Sequence, residues 1–398
     1  MSENSINKLK QMFEKGLFFF RNKKFNEAER YFDQLYKISK NNEQIIIYLS
    51  STYINTKQYL KAEKLLLEAI QKFKKNFFFF NRLGQVYYEI GQTNKAIEFY
   101  NLSLNIEPNN IEAYCNVGLA HLRNAEYSLS KEIFEKGLKK ISTSEQGPLL
   151  YAYSYLLFST GQFEKGFTAF EERKNNKNYS LLKNLKIDEW KGQDLNNKTI
   201  LIFSEMGIGD IIQFSRYLFE IKNKYSVQII FKIPKKLHHL FKDCDFEIIG
   251  PEKMPTADYY QCLMSLPGII YNKEKKFIRN FNFIKPNKKL SNQWAKKLNF
   301  LKGKKVGLVW QGNPTYGKDF MRSISLQNFE KIFDNSDINF ISLQKGVGEE
   351  QIKKFKTRNK LYEFSDELDV GFNAFEDTIA ILSNIDLLVT VDTSLAHI

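Results

Sequence analysis

Hydrophobic and polar positions over residues 9–175 recur with a fixed period. Ala28, Ala62, Ala96 and Ser130 stand 34 residues apart. Gly16, Ser50, Gly84 and Gly118 precede them by 12 positions, and Phe32, Leu66, Tyr100 and Phe134 follow by four. The third unit is the clearest, with Leu83-Gly84, Tyr87, Gly91, Ala96, Tyr100 and Pro108. A fifth unit follows after a shift of two, at Gly161, Phe163, Gly166 and Phe170. Such a period predicts stacked pairs of antiparallel helices. The small residues fall where two helices touch. The large residue four positions on lies one turn further along the same face and packs into the next unit. Pro108 stops one helix before the next begins. Stacking buries a continuous core and leaves a concave groove, the kind of surface that takes a peptide or a partner protein rather than acting only as a spacer.

Beyond residue 175 the pattern changes. Residues 176–197 are polar and read as a linker, with Trp190 tucked against the following domain. Short apolar runs then alternate with amphipathic stretches. Strands are expected at Thr199–Phe203, Val227–Phe231 and Phe246–Ile249, and helices at Ile211–Ile221 and Lys235–Lys242. After residue 303 come strands Lys305–Trp310, Ile338–Leu343 and Leu387–Val391, with helices at Ser325–Ile332 and Glu376–Leu382. The alternation argues for parallel sheets with crossover helices. The expected organisation is α + α/β: a helical solenoid of about five units over 1–175, a linker over 176–197, and α/β domains over 198–303 and 304–398.

Composition narrows the function classes. The chain has 398 residues and is 43% hydrophobic, with a mean hydropathy of −0.42, which reads as soluble and globular. The N-terminus lacks the apolar core of a signal peptide, and no apolar run approaches the roughly 20 residues of a membrane span. Cys115, Cys244 and Cys262 are widely spaced, which disfavours a disulfide framework or a zinc site and points to a cytoplasmic location. The net charge is +14. Residues 1–180 carry 26 Lys and Arg against 19 Asp and Glu, and the remainder 33 against 26. This even spread describes a lysine-rich solvated surface. It argues against nucleic-acid binding and leaves room for peripheral contact with an anionic membrane.

Candidate chemistry gathers at the strand ends. Gly207 and Gly209 permit a tight turn after the first α/β strand, where open α/β sheets bind ligands. Asp210 follows that turn, either as a helix cap or as a working carboxylate. In the second α/β domain, three strand ends bring Asn313, Lys318 and Arg322, then Gln344, then Asp392, Thr393, Ser394 and His397 to one edge. Cations beside a strand-to-helix turn make a cradle for a diphosphate. Asp392-Thr393-Ser394 is expected to cap a helix there.

Two resemblances follow from these residues. The 34-residue register resembles the tetratricopeptide repeat. SEMGIGDIIQFSRYL (204–218), VGLVWQGNP (306–314), RSISL (322–326), FISLQKG (340–346) and DTIAILSNIDLLVTVDTSLAH (377–397) resemble glycosyltransferase family 9, which includes the ADP-heptose:lipopolysaccharide heptosyltransferases. The whole chain resembles bacterial proteins that fuse the two. The family-9 resemblance implies a pair of Rossmann-like domains of GT-B type, with acceptor on the first, nucleoside-diphosphate sugar on the second, and no metal or other cofactor. It implies Asp210 as general base. Lys318, Arg322 and the N–H groups of Thr393 and Ser394 would meet charge on the leaving diphosphate, and His397 would donate to a phosphate oxygen. Met206 stands where many relatives carry a polar residue. The family also continues past the His, so the resemblance implies a C-terminally truncated donor domain. Two further readings stand beside this one. Repeats joined to a GT-B unit also resemble O-GlcNAc transferases, which transfer sugar to protein hydroxyls. Alternatively, the repeats are the function, and the α/β half is an inactive scaffold.

Overall fold

The computed structural model describes residues 3–278, 282–314, 316–317, 319–334, 337–355 and 361–398. It divides into two compact units, Met1–Leu181 and Leu182–Ile398.

The first unit is a solenoid of paired helices: α1 (Glu3–Arg21) with α2 (Phe25–Ile38), α3 (Glu43–Asn55) with α4 (Tyr59–Lys72), α5 (Phe77–Glu89) with α6 (Thr93–Ile106), α7 (Ile111–Arg123) with α8 (Tyr127–Lys140), and α9 (Gly147–Ser159) with α10 (Phe163–Phe170). The period sets both ends of the first helices. Asn42, Asn76 and Asn110 cap α3, α5 and α7, accepting from the backbone N–H of Ile45 (3.2 Å), Phe78 (3.0 Å) and Ala113 (3.1 Å). Left-handed residues close the turn inside each repeat: Lys23, Lys57, Gly91, Ala125 and Gly161. The residue after each donates its N–H back across the turn to the end of the first helix, as Gln92 does to the Tyr87 carbonyl at 2.8 Å.

The small positions admit a ring from the same repeat. A Cβ on Gly16 would stand 2.9 Å from the Phe32 ring, and one on Gly118 would stand 2.5 Å from the Phe134 ring. These rings also reach the next repeat. Phe32 stacks on Tyr48 with centroids 5.4 Å apart, and Phe134 stacks on Tyr153 at 5.2 Å. Each ring thus closes its own repeat and joins it to the following one. The first helices touch along one layer, α1 to α3, α3 to α5, α5 to α7 and α7 to α9, while the second helices touch one another less. The tighter layer lies on the inside of a solenoid's curve.

After α11 (Ser180–Lys183), which spans the boundary, the second unit holds a parallel sheet of β1 (Asp188–Glu189), β2 (Lys198–Phe203), β3 (Val227–Lys232), β4 (Glu247–Ile249) and β5 (Tyr259–Cys262), in the order β1-β5-β2-β3-β4. Its helices include α12 (Ile208–Phe214), α13 (Arg216–Lys224), α14 (Leu266–Glu274) and α15 (Lys288–Lys297). A second parallel sheet holds β6 (Lys304–Val309), β7 (Ile338–Ser342), β8 (Leu361–Tyr362) and β9 (Leu387–Thr390), in the order β8-β7-β6-β9, with α16 (Glu376–Leu382) before β9. β2 and β3 are apolar because both faces are covered, with Ile200, Ile202, Ile229 and Phe231 in one core.

Several local expectations change. Part of the expected linker is sheet: β1 pairs with β5, and Trp190, 2% exposed, belongs to the first sheet's core. The expected helix over 211–221 is two helices broken at Ser215, whose hydroxyl donates to the Ile212 carbonyl at 2.8 Å and competes with the helix ladder. The segments after β3 and β6 wind as 3₁₀ turns, Lys235–Phe241 and Leu326–Asp334. No helix among the described residues is long and apolar enough to cross a membrane.

Candidate functional site

β2 ends at Phe203, and the chain turns through Met206, a left-handed residue that is 48% exposed. Holding a non-glycine residue there costs on the order of 1–3 kcal/mol. Gly207 precedes α12, and its N–H donates to Asp210 Oδ2 at 2.8 Å. Asp210 therefore caps α12 from inside its first turn by reaching back.

Gly209 faces the end of the second sheet. A Cβ there would stand 3.3 Å from both His397 Cδ2 and Ser394 Cα, so the glycine lets the two turns approach closely without displacing either. Beyond β9, Thr393 leads into a 3₁₀ turn of four residues, Ser394–His397. The expected helix is thus a short turn with few aligned peptides, and no side chain caps it. Thr393 Oγ1 lies 3.2 Å from Thr390 Oγ1.

Charges of both signs converge here. His397 Nε2 stands 3.9 Å from Asp392 Oδ1. Burial raises the Asp210 pKa; the Gly207 N–H, His397 and Arg322 pull it down, and Asp392 pushes it up. Burial lowers the His397 pKa, against the carboxylates of Asp392 and Asp210. The result is a carboxylate of raised basicity in the field of an imidazole and a guanidinium.

Arg322 ties the second sheet's strand ends together. Its Nη1 donates to the Asp392 carbonyl at 2.8 Å, its Nε donates to Asp319 Oδ1 at 2.9 Å, and the guanidinium lies 5.0 Å from the Tyr316 ring centre. The Ser323 hydroxyl donates to Asp319 Oδ2 at 2.8 Å and accepts from the Gly312 N–H at 2.9 Å. Neither Asp319 nor Gly312 was singled out by sequence. The signal was the D-x-x-R-S spacing, whose carboxylate and arginine fall one turn apart.

The other expected residues sit differently. Gln344 is 3% exposed and commits its amide to the backbone. It accepts from the N–H groups of Trp310 (3.2 Å) and Gln311 (3.0 Å), and donates to the carbonyls of Gln311 (3.1 Å) and Val347 (2.8 Å). It is a clip between the ends of β6 and β7. Asn313 is exposed, and its carbonyl accepts from the Tyr316 N–H at 3.0 Å. Lys318 lies outside the described residues.

The comparisons agree with the helical half. A family model described as TPR repeat matches residues 84–124. Protein FlbA of Caulobacter vibrioides is 23% identical over 334 residues, covering 78% of this chain and 56% of FlbA. TPR repeat-containing protein MJ1428 of Methanocaldococcus jannaschii is 26% identical over 136 residues, 34% of this chain and 24% of that protein. The chain thus spans about half the length of FlbA and a quarter of MJ1428. Among solved structures, TTC0263, a thermophilic TPR protein of Thermus thermophilus, aligns with 12% identity and a TM-score of 0.39, over 44% of this chain and 93% of its own. The chain thus carries tetratricopeptide repeats, matched over residues 84–124, in a helical region that a parallel-sheet α/β region follows.

Proposed function

We propose that the chain is a protein-interaction scaffold whose repeats hold a peptide or protein partner on the first-helix layer. The polar bridging between α5 and α7 carries this reading. Arg82 Nη1 donates to both Gln85 Oε1 and Glu112 Oε1 at 2.8 Å, and Asn116 Nδ2 donates to Asn81 Oδ1 at 3.1 Å. Directional groups held on the inner layer of a solenoid suit an extended peptide. The test is selection of displayed random peptides on the full chain. Enriched peptides should bind the wild type and lose affinity for an Arg82→Ala, Asn116→Ala double variant. Equal affinity for both, or no enrichment, contradicts the reading.

A second reading adds glycosyl transfer in the α/β unit, a GT-B pair of domains in that case. It is favoured by the approach of Gly209 to Ser394 and His397, which brings Asp210 into the field of His397, Asp392 and Arg322. Asp210 would take the proton of an acceptor hydroxyl as that oxygen bonds to the anomeric carbon. The bond to the nucleoside diphosphate breaks, and Arg322, with Lys318, meets the departing charge. The acceptor would be recruited by the repeats, and a protein hydroxyl fits a peptide-binding solenoid. The three cysteines are free thiols, in keeping with a cytoplasmic location. Asp210→Asn should abolish transfer from a panel of nucleoside-diphosphate sugars while donor affinity persists; loss of donor binding instead contradicts the base assignment.

A further inference from the structure

We propose that Asp319 is a positioning residue that holds the Arg322 guanidinium ready for a diphosphate. The inference rests on the nucleotide-sugar reading of this site. Asp319 is 5% exposed, and a buried carboxylate is costly to keep unless it is paired and hydrogen-bonded. Both of its oxygens are used, Oδ1 by Arg322 Nε and Oδ2 by the Ser323 hydroxyl. Its carbonyl accepts from the N–H groups of Arg322 (3.1 Å) and Ser323 (2.9 Å). The carboxylate, its loop and the arginine form one closed turn.

The far side of the guanidinium is fixed as well, because Nη1 donates to the Asp392 carbonyl at the end of β9. Gly312, just past β6, is shaped to the pair. A side chain there would collide with Asp319 Oδ1 and stand 2.7 Å from Arg322 Nε and Nη2. The arginine is thus set by contacts from three directions before any ligand arrives. A fork that is already oriented gives up little freedom when it binds a phosphate. Lysine has no Nε–H donor in that place, so charge alone does not reproduce the arrangement.

The test is titration calorimetry on the full chain with ADP, UDP and GDP and with the matching nucleosides. The wild type should bind at least one diphosphate more tightly than its nucleoside. Asp319→Asn should weaken that diphosphate about tenfold or more and leave nucleoside affinity unchanged. Arg322→Lys should do the same, and the double variant should lose little beyond either single one, since the two act as a unit. A wild type that binds none of the diphosphates removes the nucleotide-sugar reading itself. A wild type that binds, with Asp319→Asn retaining its diphosphate affinity or losing nucleoside affinity equally, overturns the positioning role. Should Asp319→Asn not fold, Arg322→Lys decides alone: an unchanged diphosphate affinity overturns the proposal.

Discussion

Gly84 and Tyr100 occupy one space: a Cβ on Gly84 would stand 2.6 Å from Tyr100 Cδ1. The ring is 2% exposed and has nowhere to retreat. The same fit recurs at Gly16 with Phe32 and at Gly118 with Phe134. Gly84→Val should therefore destabilise the solenoid by about 1–3 kcal/mol, more than any gain from removing a mid-helix glycine, which is about 1 kcal/mol. Urea unfolding followed by helical circular dichroism reads the loss. An unchanged midpoint would show that the ring yields freely.

Asp210 carries a cost in stability at neutral pH. Burial raises its pKa in the fold, so the neutral form is favoured there relative to the unfolded chain. Its contribution is most favourable below the unfolded pKa and is lost as pH rises through the folded one. At pH 7 the ionised carboxylate is therefore a burden. Asp210→Asn keeps an oxygen for the Gly207 N–H and removes the charge. The variant should melt higher than wild type at pH 7, with the gap closing by pH 3. A variant that melts lower at pH 7 contradicts this account.

Gln344 separates a structural clip from a ligand contact. Gln344→Ala leaves the buried N–H of Trp310 and the half-buried N–H of Gln311 without their acceptor, at about 1–3 kcal/mol for the buried one. Thermal unfolding of the second unit should shift down clearly. Unchanged stability with a loss of nucleotide affinity would return Gln344 to the ligand.

Most of this was legible where the physics is local and repeated. The 34-residue register shows because each repeat solves the same packing problem, a small residue beneath a large one, four times over. Strands β2, β3, β6 and β7 show because a strand covered on both faces needs a short, continuous apolar run. β1 was hidden inside a polar stretch because it exists only through its pairing with β5. The break at Ser215 was hidden because Ile211, Phe214, Leu218 and Ile221 keep helical spacing across it. In the site, charged and glycine residues stood out at strand ends. Asp319 did not, because its surroundings are an arginine one turn on, the serine after that and a glycine earlier in the same loop. Gln344 looked like a ligand for the same reason. Sequence shows a polar side chain at a strand end but not which backbone groups already hold it.

Hydrogen–deuterium exchange of the full chain, with and without a display-selected peptide, tests the scaffold most directly. Bound peptide should slow exchange in α5 and α7, and the effect should vanish in the Arg82→Ala, Asn116→Ala variant. Protection confined to residues 182–398, or protection that survives in the variant, would contradict the account.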